Sequence, residues 1–165
     1  MLHAAACIFL MPLKLTLALI KPDAAAHPIF NSAILQLLVR QNFIFVKSGS
    51  FILSRKDAEE FYSQHREKFY YRRLTSFLSS GQIFVHVLAH SDAIGLLRHL
   101  IGPTKSYRAR FEAPETIRGS YGISDTRNSI HGSDSDKAAE AEIKFFFPRF
   151  NYHEWIIEKN IIDNK

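Results

Sequence analysis

Residues 127–135 (Arg-Asn-Ser-Ile-His-Gly-Ser-Asp-Ser) set one imidazole, His131, between a polar turn and a small-residue turn, and a helical pattern over residues 137–147 follows at once. An imidazole placed in this way can act as a nucleophile and take up a transferred group covalently. Asn128, Ser133 and Asp134 carry groups able to orient the ring, and Gly132 leaves the backbone open to a bulky reactant. Glu142 follows on the helix that this turn starts. The chain has eight histidines, however, and one beside Gly and Ser also reads as an ordinary turn residue. The residue alone leaves both readings standing.

A second set of groups is cationic. Lys21 closes a short apolar run and is followed by Pro22 and Asp23, so its backbone is held rigid where its side chain can enter a cleft. Arg98 falls on a predicted helix just before Thr104, and Arg118 precedes Gly119. Guanidinium groups bind phosphate oxygens bidentately and lysine supplies a compact charge, so together they suit a polyphosphate. Each taken singly also reads as a surface charge, and Tyr62, Tyr70 and Leu74 read by default as core or helix-face residues. No P-loop pattern and no nucleophile-elbow pattern occurs. His65, His86, His90 and His99 are scattered, and one cysteine cannot build a thiolate metal site, so no metal-ligand set is expected.

The elements that must position these groups follow from periodicity. Residues 15–20 are predicted as a buried strand, 28–41 as a helix opened by Pro28, and 42–53 as a strand with Gly49 as a bulge. Residues 57–67 and 70–79 read as helices, the second stopped by Gly81. Residues 82–90 read as a strand, and Ser91 as the cap of a helix running to Ile101. Residues 102–127 read as one long basic loop, a kind of segment that in a compact domain is usually functional or disordered, and its basic content and turn residues favour function. A short strand over 128–131, a helix over 133–147 and an irregular tail complete the chain. This order implies an α/β chain, an α+β sandwich in which helices cover an antiparallel sheet of about four strands in the ferredoxin-like βαββαβ arrangement.

With 47% hydrophobic and 22% charged residues, the chain has the composition of a globular domain. Residues 1–12 are expected to be an extension, 13–157 a single domain and 158–165 a polar tail. The net charge of +5 suits a polyanionic ligand. No apolar run approaches the roughly 20 residues that a membrane span needs. The single cysteine fits a reducing compartment, and residues 1–12 make neither a good secretory signal nor a good transit peptide.

Residues 16–23 (Thr-Leu-Ala-Leu-Ile-Lys-Pro-Asp), Phe61-Tyr62, residues 74–81, Thr116-Ile117-Arg118-Gly119 and residues 127–135 occur in an order and spacing that strongly resemble the nucleoside diphosphate kinase family. The Asn-x-x-His-Gly-Ser-Asp signature is the most specific part, and the resemblance extends over residues 14–150. A lengthened segment between Thr104 and Arg118, the run 102–109 and the run Ser124-Asp125-Thr126-Arg127-Asn128 resemble its divergent nucleoside diphosphate kinase 6 branch. The resemblance implies ping-pong transfer of the γ-phosphate of ATP to nucleoside diphosphates through phosphorylated His131, with Mg²⁺ as cofactor. It assigns Lys21 to the phosphates and sugar, and Arg98, Thr104 and Arg118 to the phosphate clamp. Asn128 falls to the sugar and terminal phosphate, Tyr70 to base stacking, Tyr62 to the neighbourhood of the lysine, and Glu142 and Ser133 to support of the histidine. Asp125 stands where common members have an apolar residue facing the base, and Gln64 replaces an acid. The altered loop and short tail fall where common hexamers make subunit contacts. The partners implied are ATP and nucleoside diphosphates, with a homo-oligomer or a protein partner beside them. The alternative is a weakly active nucleotide-binding protein working as a partner-dependent regulatory module. Nucleic acid is disfavoured because phosphate positions account for the basic residues. The compartment implied is intracellular, the mitochondrion ahead of the cytoplasm.

Overall fold

The structure, a computed structural model, describes residues 12–162. The expected extension, residues 1–12, lies outside them apart from Pro12. Strand β1 (Lys14–Ile20) is buried at every position after Lys14. Leu15, Leu17 and Leu19 enter one core with Val85 and Val87, while Ala18 and Ile20 enter a second core with Leu88. A strand covered on both faces needs apolar side chains on both, which accounts for the nearly unbroken apolar run.

The helices are α1 (Pro22–Ala25), α2 (Pro28–Arg40), α3 (Arg55–Phe61), α4 (Tyr71–Leu78), α5 (Ala93–Ile101), α6 (Ser106–Glu112), α7 (Ile117–Tyr121), α8 (Asp136–Phe146) and α9 (Tyr152–Ile162). Strands β2 (Ile44–Ile52), β3 (Gln82–His90) and β4 (Ile130–Gly132) join β1 in a four-stranded sheet of order β2-β3-β1-β4. Every neighbouring pair is antiparallel, which is the expected ferredoxin-like arrangement. Residues of α3, α4 and α8 fill the first core, with Trp155 of α9 packed on it; α1, α2, α5 and α7 fill the second. No described helix is long and apolar enough to cross a membrane.

Several local expectations are corrected. The irregularity in β2 lies between Phe45 and Lys47, and Gly49 pairs regularly with Val85. A Cβ on Gly49 would press on the ring of Phe51, so that glycine makes room for packing. Helix α3 starts two residues earlier than Asp57, because Ser54 and Asp57 cap one another in both directions. It ends at Phe61, and a 3₁₀ turn, Ser63–His65, replaces its expected continuation. The residue before α5 is Asp92, not Ser91, and its side chain makes no cap bond.

The largest differences are in residues 102–127 and the tail. The expected loop contains α6 and α7. Thr116 caps α7 by accepting a bond from the Gly119 amide at 3.2 Å, and Arg110 of α6 donates to the Gly122 carbonyl at 2.8 Å. The tail is helical, and the expected boundary at 157 falls inside α9, which places Trp155 against the core. Its Asn160 side chain bonds both backbone groups of Leu13, just ahead of β1.

Helix α7 lies so close to the end of α6 that a Cβ on Gly119 would stand 2.8 Å from Pro114 Cα and press on the Ala113 carbonyl oxygen. Backbone atoms cannot step aside as a flexible side chain can. Gly119→Ala is therefore expected to lower stability by about 1–3 kcal/mol, read as a lower denaturation midpoint at unchanged m-value. An unchanged midpoint would contradict this packing.

Candidate functional site

The end of β1 and the segment before β4 are tied together by main chain. Lys21 N–H donates to Ser129 O at 2.8 Å, and Ser129 N–H donates to the Asp23 carboxylate at 3.0 Å. Ser129 adopts φ 70°, a left-handed conformation that a non-glycine residue holds only where its surroundings fix it. In the sheet register His131 then stands opposite Leu19, on a short strand whose neighbour is buried at every position after Lys14.

The imidazole is oriented from α8. His131 Nε2 lies 2.9 Å from Glu142 Oε1, and Ser133 Oγ donates to Glu142 Oε2 at 2.7 Å. Ser133 Oγ in turn accepts from the Leu17 amide at 3.2 Å. A carboxylate in its ionised form can only accept, so this contact suits the tautomer that carries its proton on Nε2 and leaves the lone pair on Nδ1. The rings of Phe61 and Tyr62 meet His131 edge-on at 5.3 and 6.0 Å. Burial, with the Glu142 charge behind it, raises the Tyr62 phenol's pKa and keeps it neutral.

Two expectations about this turn are corrected. Asn128 and Asp134 make no bond to the ring: Asn128 binds Lys21, and Asp134 accepts from Ser135. A Cβ on Gly132 would stand 2.7 Å from Ile101 Cδ1, so its missing side chain also serves packing against α5.

The cations are gathered beside the imidazole. The Lys21 ammonium is buried, donates to Asn128 Oδ1 at 2.7 Å and reaches Thr126 O at 3.4 Å. Burial pushes its pKa down to about 7, helped by the Arg118 charge and opposed by Asp23. Asn128 uses both amide hydrogens on the carbonyls of Thr104 and Asp125, at 3.0 and 3.1 Å, and so acts as a strut between the lysine and two loops. Arg118 donates to Gly102 O, Thr104 Oγ1 and Ile130 O at 3.0, 3.3 and 3.1 Å. Burial brings its pKa down to about 10, with the Arg98 charge adding to the effect and Tyr62 opposing it. Among the described residues, neither Lys21 nor Arg118 has a carboxylate within salt-bridge distance.

These groups open on one cavity of about 630 Å³, lined by Lys21, Tyr62, Tyr70, Arg98, Thr104, Arg118, Asn128, His131 and Glu142 among others. Ser133 lies behind it, fully buried. All ten residues expected at a site are therefore in one place. Of the other basic residues of 102–127, Lys105 also faces the cavity, whereas Arg108 pairs with Glu112 and Arg127 lies over the Phe77 ring. The cavity also exposes Asp125, His65, Phe69 and Arg73. Phe69 and Arg73 carried no sequence signal beyond adjacency to Tyr70 and to Leu74.

Comparison with known proteins shows the family. The family model described as nucleoside diphosphate kinase matches residues 14–152, and the chain belongs to that family. It is 49% identical over 144 residues to nucleoside diphosphate kinase 6 of Xenopus tropicalis, covering 87% of this chain and 80% of the relative. It is 38% identical over 150 residues to the nucleoside diphosphate kinase of Bordetella avium, covering 87% of this chain and 99% of that one. A crystal structure of the Aquifex aeolicus nucleoside diphosphate kinase superposes with a TM-score of 0.78 at 38% identity, covering 82% of this chain and 95% of that one.

The depressed lysine gives a pH signature. Above pH 7 the empty site holds Lys21 mostly neutral, and a bound polyanion favours the ammonium, so binding draws in a proton and affinity falls as pH rises. Titration calorimetry with ADP at pH 8, in buffers of different ionisation enthalpy, is expected to show net proton uptake that Lys21→Met removes. Uptake that is absent, or that persists in the variant, would contradict the assignment.

Proposed function

We propose that the protein catalyses transfer of the γ-phosphate of a nucleoside triphosphate, ATP in the first instance, to nucleoside diphosphates through a phosphohistidine at His131. The observation that carries this reading is the pairing of a free imidazole nitrogen with buried cations that, among the described residues, have no carboxylate within salt-bridge distance. Unneutralised buried charge is costly, and a polyphosphate supplies the missing counter-charge.

In the first half-reaction the Nδ1 lone pair attacks the γ-phosphorus, the bond from phosphorus to the bridging oxygen breaks, and ADP leaves with that oxygen. The ring becomes cationic as the N–P bond forms. Its Nε2 proton stays between ring and carboxylate, and Glu142 balances the new charge at 2.9 Å. In the second half-reaction a terminal oxygen of the nucleoside diphosphate attacks the phosphorus and Nδ1 departs, restoring the neutral ring. Lys21, Arg98, Thr104 and Arg118 hold the phosphate oxygens in line. Asn128 fixes Lys21, and Tyr62 walls the imidazole. Tyr70 offers an aromatic face on which any base stacks, so tolerance of many bases follows.

Mg²⁺ is expected to arrive on the nucleotide. Among the described residues no group of three or more His, Cys, Asp or Glu is placed to hold a metal ion, and Glu142 is occupied by His131 and Ser133. The hard oxygens it prefers are those of the phosphates, whose charge it would neutralise.

Incubation with ATP labelled in the γ-phosphate is expected to leave acid-labile, alkali-stable label on the protein, absent in His131→Ala. Glu142→Ala leaves the ring free to change tautomer and is expected to slow labelling roughly 10²-fold or more. Label retained by His131→Ala would exclude the covalent route through this histidine.

A further inference from the structure

Phe69 is the most exposed large apolar side chain among the described residues, at 94%. Single exposed apolar residues are common and by themselves mean nothing. This one differs in its place, because it borders the cavity that holds His131 and Lys21. It packs on neither hydrophobic core, so the fold has no use for its ring.

The backbone explains how the ring is presented. Tyr71 N–H donates to Lys68 O at 2.9 Å, which closes a turn with Phe69 and Tyr70 as its two central residues. Tyr70 has φ −88° and ψ −4°, the values of the third residue of a type I turn. Its carbonyl then accepts from Leu74 N–H at 3.0 Å and starts α4. The turn is therefore anchored on a helix, and both of its central aromatic residues line the cavity. Turn centres are usually filled by Gly, Pro, Asn, Asp or Ser, and none of these is used here. The two rings meet at 5.3 Å with an interplanar angle of 80°, so they form a corner with two perpendicular walls.

A flat base laid on the Tyr70 face would stand nearly perpendicular to the Phe69 ring. That is the edge-to-face arrangement which aromatic quadrupoles favour. The six-membered ring of a pyrimidine is used up by one stacking wall, whereas the second ring of a purine extends beyond it toward the other. We propose that Phe69 is a specificity-determining residue of the nucleotide site, a second aromatic wall that favours purine over pyrimidine nucleotides. The proposal rests on the reading that this cavity takes nucleotides with the base on Tyr70, and it adds a preference that stacking alone does not supply.

The test is equilibrium binding of ADP, GDP, CDP and UDP to the unphosphorylated full chain, compared for the wild type, Phe69→Ala and Phe69→Tyr by titration calorimetry. Phe69→Ala is expected to weaken ADP and GDP by roughly fivefold and CDP and UDP by less than about twofold. Phe69→Tyr keeps the wall and is expected to keep the wild-type pattern. The melting temperature of Phe69→Ala should equal that of the wild type, since the ring supports no core. Equal losses for all four nucleotides, or no loss for purines, would overturn the proposal while leaving the nucleotide site intact. Failure of the wild type to bind any of the four would overturn the nucleotide reading itself, and this one with it.

Discussion

A buried ammonium without an acidic partner is the constraint around which this molecule is arranged. Lys21 leaves the end of the most buried strand, and its ammonium is hydrogen-bonded only to the amide oxygen of Asn128 and a distant carbonyl, while the Asp23 charge acts on it from beyond salt-bridge distance. Neutral dipoles do not replace lost hydration fully, which is why its pKa falls to about 7. Arg118 repeats the pattern with three oxygens, none of them from an acid. An anion in the cavity would offset the cost of burying these two charges. Folding free energy has been given up here for binding free energy, as is usual where a site is built before its ligand arrives.

The rest of the fold keeps that charge and the imidazole in fixed relation. Antiparallel pairing sets His131 opposite Leu19, two residues before Lys21. Ser133 ties the same strand to α8 by accepting from Leu17 and donating to Glu142. The His131 imidazole is thus oriented by a carboxylate that is itself held by the strand carrying the lysine. Asn128 extends the frame outward, because its amide joins Lys21 to the loops at Thr104 and Asp125. A displacement of either loop is transmitted to the lysine through one side chain.

How much of this was legible depended on whether the stabilising contacts were local. The run 15–20 is buried on both faces and could be read as a strand from its apolar side chains alone, and 82–90 matches β3 in full. Helices α6 and α7 escaped because each is short and is held by bonds to other segments, α6 through Ser106 Oγ to Ser124 O and Arg110 to Gly122 O, α7 through Ser120 Oγ to Pro114 O and Arg118 to Gly102 O. Helix α9 could have been found, since Tyr152, Trp155 and Ile156 have helical spacing and pack on the first core. The site residues were legible as a family pattern, but their working relations were not. Asn128 looked like a partner for the imidazole and serves the lysine, because its hydrogen bonds go to backbone carbonyls that no residue type announces. Phe69 looked like a neighbour of Tyr70 and stands as a wall of the cavity, because its direction is set by a turn.

In the proposed transfer Glu142 holds the His131 proton on Nε2 and so leaves Nδ1 to take the phosphoryl group. The most direct measurement is nuclear magnetic resonance of protein carrying ¹⁵N-labelled histidine, before and after phosphorylation by ATP. A single phosphohistidine is expected, with the phosphorus bonded to Nδ1 of His131 and a proton retained on Nε2. A phosphoryl group on Nε2, or on any other residue, would contradict it.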